Sequence, residues 1–177
     1  MIYEEKTVKS DMLYEGRILN LRIDTVELPD RKYSKREIVE HDRAVCIIPV
    51  IDDKIIFIRQ YRIAVDSVLL ELPAGLIESN EEPREAALRE MEEEINYTTS
   101  NLEYLFDGYS SPGFTDEKTS FFLAKDLIEK KGQPDEDEFL EVDSYTLKEA
   151  IEMIDRGEII DSKTIIGILY ASRVLNV

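Results

Sequence analysis

Three glutamates, Glu90, Glu93 and Glu94, have the residue type and spacing in this sequence that best suit chemistry. They stand at positions i, i+3 and i+4, so on a helix their carboxylates occupy adjoining sectors of one face. Carboxylate oxygens are the ligands that hard cations such as Mg²⁺ and Mn²⁺ prefer, and carboxylates this close repel one another unless a positive group offsets them. The pattern indicates a divalent-cation site; the alternative is a solvated acidic helix face, which is what most charge runs are.

A helix that begins at Pro83 must position these carboxylates. Proline suits the first helical turn because its missing N–H would have no partner there. No glycine or proline interrupts the chain from Pro83 to Ile95. The apolar stripe beside the glutamates consists of Ala87, Leu88, Met91 and Ile95. We expect this stripe to dock the helix and to aim the carboxylates along the edge of its buried face.

The stretch from residue 75 to residue 97 resembles the Nudix box, a pattern with many fixed places. The matching places are Gly75, Glu81, Arg89, Glu90, Met91, Glu93, Glu94 and Tyr97. Asn96 stands where the family has glycine. Asparagine is the next best residue for the left-handed conformation that ends many helices, so we expect the helix exit to keep its geometry.

The resemblance also implies roles for individual residues. The metal ligands that it implies are the carbonyl of Ala74 and the carboxylates of Glu90, Glu93 and Glu94. Glu93 is also a candidate for positioning the reacting water, so Glu93 and Arg89 are catalytic candidates. Arg89 lies four residues after Glu85 and four before Glu93, and this spacing allows an ion pair with either.

A second constellation surrounds Pro112, which lies fifteen residues after Tyr97. A proline at about this distance resembles the mark of the ADP-ribose pyrophosphatase subgroup of the family. The flanking sequences of residues 110–117 (SSPGFTDE) and 71–75 (ELPAG) strengthen the resemblance. Pro112, Gly113 and Phe114 are therefore candidates for substrate binding, whereas a Pro-Gly pair taken alone indicates only a turn.

An acidic run at residues 135–138 forms a third constellation. In the enzymes that this chain resembles, a loop at this point closes over the substrate and carries a catalytic glutamate and a metal ligand. Matching by apolar spacing makes Glu136 the catalytic candidate and Glu138 the ligand candidate. A slip of one residue would exchange these roles, and a solvated loop is the alternative.

Three arginines are candidates for clamping an anionic pyrophosphate. Arg36 lies on a predicted N-terminal hairpin, and Arg59 and Arg62 lie at the end of a predicted strand. A guanidinium binds phosphate oxygens in a bidentate manner, and arginines near a site stand out in so acidic a chain. The alternative is that they are ordinary surface residues.

The composition indicates one globular domain of 177 residues with a formal charge of −17. Such a charge repels nucleic acids and anionic membranes, and no apolar run approaches about 20 residues. The single histidine, His41, excludes multi-histidine metal sites, and the single cysteine, Cys46, is expected to be a buried thiol. We expect a soluble cytoplasmic protein that acts on a small molecule, with neither a nucleic acid nor a membrane as partner.

The order of predicted elements indicates an α+β fold. Residues 1–43 contain strand-like segments, and a change of phase at Val26 predicts a bulge in the second of them. Residues 44–177 form the predicted hydrolase domain. The resemblance implies the Nudix fold, a mixed β-sheet sandwiched between α-helices, with an antiparallel N-terminal extension. It also implies a homodimer whose N-terminal strands are exchanged between subunits.

The activity that the resemblance implies is Mg²⁺-dependent hydrolysis of ADP-ribose to AMP and ribose 5-phosphate. One alternative is another Nudix pyrophosphatase activity, on a different nucleoside-diphosphate sugar or an oxidised nucleotide. A non-catalytic ADP-ribose sensor is an alternative of a different class. Such a sensor is expected to lose carboxylates of the box, and this chain keeps all of them.

Overall fold

A computed structural model describes residues 3–132 and 139–175 of the chain. Its strands are β1 (Lys6–Glu15), β2 (Leu19–Glu27), β3 (Tyr33–His41), β4 (Ala44–Ile51), β5 (Lys54–Arg62), β6 (Ser67–Glu71), β7 (Ala74–Leu76), β8 (Tyr97–Thr98), β9 (Asn101–Tyr109), β10 (Lys118–Lys125), β11 (Ile128–Glu129) and β12 (Glu141–Thr146). Its helices are α1 (Pro83–Ile95), α2 (Leu147–Asp155) and α3 (Ser162–Val174). Within the described ranges, no helix is long and apolar enough to cross a membrane.

The chain divides into two compact units. The first contains residues 3–43 and 109–118, and its sheet has the antiparallel order β1-β2-β3. The β2–β3 register is unbroken, so the bulge predicted within the second strand is wrong. The extra residue lies on the partner strand instead: Val26 pairs with Thr7, the next pair joins Thr25 to Lys9, and Val8 of β1 is left over. The sequence pattern therefore located the irregularity along the β1–β2 pair correctly but assigned it to the wrong strand.

The second unit contains residues 44–108 and 119–175 and has a mixed sheet of order β12-β5-β4-β10-β9. Strand β6 also pairs with β5, and β7 pairs with β4. Strands β4 and β10 are parallel, and β4 and β5 are antiparallel. The predicted α+β class and the antiparallel N-terminal extension are confirmed.

Alternating side chains of β4 divide the core of the second unit into two layers. Val45 and Ile47 pack in one cluster with Met91 of α1. Cys46 and Ile48 pack in the other cluster, which contains residues of α2 and α3. Since successive side chains of a strand point to opposite faces, the sheet lies between α1 on one side and α2 and α3 on the other. This is the sandwich that the resemblance implied, and each buried aliphatic residue contributes roughly 1.5–3 kcal/mol to it.

Candidate active site

Helix α1 begins and ends where the sequence predicted. Pro83 occupies the first turn, and the backbone N–H of Glu82 donates to the Glu85 carboxylate at 3.3 Å. Asn96 ends the helix in the left-handed conformation, with φ 59° and ψ 35°, and its N–H donates to the carbonyl of Met91. The asparagine at the glycine place of the box therefore keeps the helix exit, because its short side chain tolerates a positive φ.

Arg89 joins the acidic groups of the box. Its Nε and Nη2 donate to the two oxygens of Glu81 at 2.9 and 3.0 Å. Its Nη1 donates to Glu90 at 2.7 Å and to Glu93 at 2.9 Å, and Nη2 also donates to the carbonyl of Leu76 at 2.9 Å. All five guanidinium N–H groups are thus used. The hydrogen bonds to Glu81 are the main cause of the raised pKa of Arg89, and the same contact lowers the pKa of Glu81.

Of the two partners predicted for Arg89, the structure selects Glu93. Glu85 takes part in the start of the helix instead. The strongest partner, Glu81, lies eight residues before Arg89 and was identified only as a fixed place of the box. Helical spacing could not predict this pair, because Glu81 precedes the helix. The signal that could have identified Glu81 as a partner is its fixed place in the motif.

Glu90 and Glu94 are buried on the face of α1 that packs against the sheet. The backbone N–H of Ala74 donates to Oε2 of Glu94 at 3.0 Å. A Cβ added to Gly75 would lie 2.0 Å from Oε1 of Glu90, so the glycine leaves the space that this carboxylate fills. The backbone of Ala74 and Gly75 therefore lies directly against the carboxylates of α1, and Gly75 has no side chain that would displace them.

The donor set of the box has the chemistry that a hard divalent cation requires. It consists of carboxylates that lie next to the backbone of residues 74 and 75, and backbone carbonyl oxygens are also hard ligands. With the side chains as they stand, no group of three or more His, Cys, Asp or Glu residues within the described ranges is arranged to hold a metal ion. Arg89 lies among these carboxylates, donating to Glu90 and Glu93. The positive charge that the clustered glutamates require comes from within the helix in this arrangement.

Arg62 and Glu71 form an ion pair just before the box segment. Arg62 donates to both oxygens of Glu71 at 2.8 Å, and Lys163 also donates to Glu71. Glu71 is only 1% exposed. Burial alone would raise the pKa of Glu71, but the hydrogen bonds from Arg62 and the charge of Lys163 lower it below its ordinary value. Lys163 could not be identified as a partner from the sequence, because only the packing of α3 brings it to this strand.

The other two candidate arginines also contact carboxylates. In the second unit, Arg59 pairs with Asp143, and its Nη2 donates to the hydroxyl of Tyr145 at 3.1 Å. In the first unit, Arg36 donates from Nε to Glu5 at 2.8 Å. Hydrogen bonding to these carboxylates raises the pKa of both arginines. Both pairs are partly exposed, and ion pairs at the surface contribute only about 0–1 kcal/mol each.

Pro112, Gly113 and Phe114 lie in the first unit, in the turn between β9 and β10. The carbonyl of Phe114 accepts from the N–H of Val39 at 2.8 Å, and Phe114 is 54% exposed. The two acidic candidates Glu136 and Glu138 lie outside the described residues. The structure thus brings together Ala74, the helix carboxylates and Arg89 within the second unit.

Comparison with known proteins gives matches along nearly the whole chain. Residues 40–165 match the NUDIX domain, and residues 5–39 match the nucleoside diphosphate sugar hydrolase N-terminal domain. The chain is 44% identical over 170 residues to an ADP-ribose pyrophosphatase of Bacillus subtilis (strain 168), covering 94% of this chain and 92% of that protein. It is 42% identical over 172 residues to a methanol dehydrogenase activator of Bacillus methanolicus, covering 96% and 93%.

Among solved structures, the chain is similar to one described as an ADP compounds hydrolase. The TM-score is 0.91, and the match covers 99% of this chain and 96% of the other. The sequence identity is 22%, so this likeness concerns the fold.

Proposed function

Because the chain belongs to the Nudix family, we propose that it hydrolyses the pyrophosphate bond of ADP-ribose, giving AMP and ribose 5-phosphate. The observation that carries the proposal is the complete set of box carboxylates. One fully bonded arginine, Arg89, holds Glu81, Glu90 and Glu93, and the N–H of Ala74 holds Glu94. A relative at 44% identity that is named an ADP-ribose pyrophosphatase supports this choice of substrate. Nudix pyrophosphatases of this kind depend on a divalent metal.

The residues that we propose as ligands of Mg²⁺ are the carbonyl of Ala74 and the carboxylates of Glu90, Glu93, Glu94 and Glu138; Mn²⁺ has the same ligand preference. A bound ion of this kind would offset the charge of the pyrophosphate and acidify a water molecule. Arg89 would keep Glu90 and Glu93 on one side of the helix by the contacts that it makes in the structure. Glu81 would in turn fix Arg89 through its two hydrogen bonds.

We propose Glu136 as the general base that takes the proton of the attacking water, with Glu93 as the alternative. Glu136 lies outside the described residues, and its assignment rests on the register of the acidic run. Glu93 is the more exposed of the box carboxylates on α1, and one of its oxygens accepts from Arg89.

We propose that Arg36, Arg59 and Arg62 bind the phosphates and that Pro112, Gly113 and Phe114 contribute to the substrate pocket. Arg36 and Arg59 pair with partly exposed carboxylates, so an anionic substrate can replace those partners at low cost. Arg62 differs, because it makes two hydrogen bonds to a buried glutamate. We therefore expect Arg62 to use only its remaining N–H groups toward a phosphate.

The homodimer with exchanged N-terminal strands also belongs to the proposal. Every residue of β1 except Asp11 is exposed, and the exposed side chains include the apolar Val8, Met12, Leu13 and Tyr14. A second copy that covers this strand would remove that surface from water. Mixing inactive Arg36→Ala with inactive Glu94→Gln tests the exchange, because only mixed dimers would contain one intact site. A monomer by light scattering, or no recovery of activity after subunit exchange, would refute it.

Phosphate release tests the reaction. A phosphatase removes phosphate from AMP and ribose 5-phosphate but not from the internal pyrophosphate of ADP-ribose, so release reports cleavage. The purified protein is assayed with Mg²⁺ on ADP-ribose, other nucleoside-diphosphate sugars and an oxidised nucleotide, with Glu94→Gln as the inactive control. Faster release from another compound would select that alternative activity. Binding of ADP-ribose without any release would support the sensor and refute the enzyme.

A further inference from the structure

The segment that leads into the box is held by a helix that the box does not include. The backbone N–H of Leu72 donates to Oγ1 of Thr164 in the first turn of α3, at 2.8 Å. The hydroxyl of Thr164 donates onward to Oδ2 of Asp161 at 2.6 Å. Thr164 is completely buried. A backbone N–H of the site segment is thus satisfied by a side chain more than ninety residues away in sequence.

Lys163 forms a second connection between α3 and the same segment. Its Nζ donates to Asp161 at 3.0 Å and also to Glu71, the residue before Leu72. Both carboxylates raise the pKa of Lys163 against the lowering effect of burial. Asp161 therefore joins the two connections, because its Oδ2 accepts from both Thr164 and Lys163.

Close packing brings α3 within reach of this segment. A Cβ added to Gly167 would lie 2.5 Å from Cδ1 of Leu72 and 3.3 Å from Cγ1 of Ile48. Only a residue without a side chain allows α3 to lie this near to Leu72. Two neighbouring residues, Glu71 and Leu72, are thus held by independent features: the close approach at Gly167 and the hydrogen bonds of Thr164 and Lys163.

The proposed ligands follow directly after these fixed residues. The carbonyl of Pro73 accepts from the N–H of Ile47 in β4 at 2.9 Å. The N–H of Ala74 donates to Glu94 at 3.0 Å. From Glu71 to Ala74, each residue is therefore bonded to α3, to the sheet or to α1.

We propose that Thr164, assisted by Asp161 and Lys163, is a positioning residue for the divalent-cation site. It fixes the path of residues 72–74 so that the Ala74 carbonyl and the Glu94 carboxylate are in place before the cation binds. The inference rests on the proposed function of the box as a metal site. It assigns to α3 a part in metal affinity, and Thr164 itself does not touch the cation.

Direct Mn²⁺ binding to the substrate-free protein tests this role, measured by titration calorimetry. Thr164→Val keeps the shape of the side chain but leaves the buried N–H of Leu72 without its acceptor, while Oδ2 of Asp161 still accepts from the backbone N–H of residue 164 and from Lys163. Thr164→Ser retains the hydroxyl. We expect Thr164→Val to weaken Mn²⁺ binding about 10-fold, the lower end of the effect of groups that orient metal ligands, and Thr164→Ser to restore affinity to within about two-fold. The Mg²⁺ concentration for half-maximal hydrolysis should rise in parallel, with a smaller change in KM for ADP-ribose.

Ile168→Val is the matched control for loss of stability, because Ile168 is fully buried on the same helix and makes no hydrogen bond to the segment through its side chain. It should lower the melting temperature while Mn²⁺ affinity stays at the wild-type value. If Thr164→Val does not fold, Lys163→Met replaces it and Lys163→Arg becomes the conservative partner; Arg62 still pairs with Glu71 in both.

Wild-type Mn²⁺ affinity in a folded Thr164→Val or Lys163→Met protein would overturn the inference. Equal weakening by Ile168→Val would also overturn it, because affinity would then follow stability alone. In both cases the wild-type protein still binds Mn²⁺ and hydrolyses its substrate, so the proposed function stands. A wild-type protein that binds no Mn²⁺ overturns the proposed function and this inference together.

Discussion

Gly75→Ala should damage the proposed active site through the position of one carboxylate. The added Cβ would lie 2.0 Å from Oε1, 2.1 Å from Cδ and 2.4 Å from Oε2 of Glu90. Ordinary contact begins at 3.4 Å, so the carboxylate must move by about 1.4 Å. Gly75 does not have a positive φ, so the backbone tolerates alanine and the whole effect comes from lost space.

Two effects of Gly75→Ala are expected, a lower melting temperature and a lower kcat. A Glu90 carboxylate that moves this far loses its 2.7 Å hydrogen bond from Arg89. A bond of this charged kind contributes about 1.5–3 kcal/mol. For a domain of this size that corresponds to a melting temperature lower by roughly 3–12 °C. Misplacing a catalytic group by about 1 Å costs about 10²-fold in rate, so kcat should fall by about that factor.

Phosphate release from ADP-ribose and thermal melting check the two effects separately. Gly108→Ala is the control, because its Cβ would meet only Cε2 of Phe121 at 3.7 Å, an ordinary contact. This control should keep both kcat and the melting temperature. If Gly75→Ala keeps kcat within about three-fold of the wild type at saturating Mg²⁺, then the position of Glu90 is not critical, and the reasoning about the glycine of the box fails.

Three further predictions concern charge. Glu94→Gln should abolish turnover while the metal-free melting temperature stays the same or rises slightly, since the amide oxygen can still accept from the N–H of Ala74 and one repelling charge is gone; wild-type kcat in the variant would contradict the metal-site assignment. Adding Mg²⁺ at about 100 times its Kd should stabilise the protein by about 2.7 kcal/mol relative to EDTA, and an unchanged melting curve with activity surviving EDTA would exclude the metal mechanism. Glu71→Gln should lower the melting temperature at pH 7. The folded-state pKa of Glu71 lies below 4.5, so its contribution is complete above pH 4.5 and is lost as the pH falls through the folded value; the difference between variant and wild type should therefore shrink in acid, and a constant difference would show that its charge is not the cause.

Local signals in the sequence were sufficient for the helix of the box. Its start at Pro83, its end at Asn96 and the burial of Met91 and Ile95 all follow from residues within the segment. The layered sheet could also be anticipated, because the continuous apolar run of β4 requires cover on both faces. These features depend on short-range periodicity and capping, which a sequence displays directly.

Contacts between distant segments could not be predicted in the same way. Lys163 and Glu71 are separated by 92 residues, and nothing in either neighbourhood marks the other as its partner. Arg89 illustrates the limit within one motif: helical spacing suggested Glu85 or Glu93, whereas the bidentate partner is Glu81 in the loop before the helix. Loop geometry decides that pairing, and periodicity carries no information about it.

The five hydrogen bonds of Arg89 bear on whether the protein needs a metal ion to fold. If α1 carried these glutamates without Arg89, their mutual repulsion would oppose folding until a cation bound. Here the guanidinium of Arg89 belongs to the same chain and pairs with Glu90 and Glu93, so we expect α1 to fold without a divalent cation. In the proposed metal site, the cation would then bind to a helix that is already folded, and its removal would leave that helix in place.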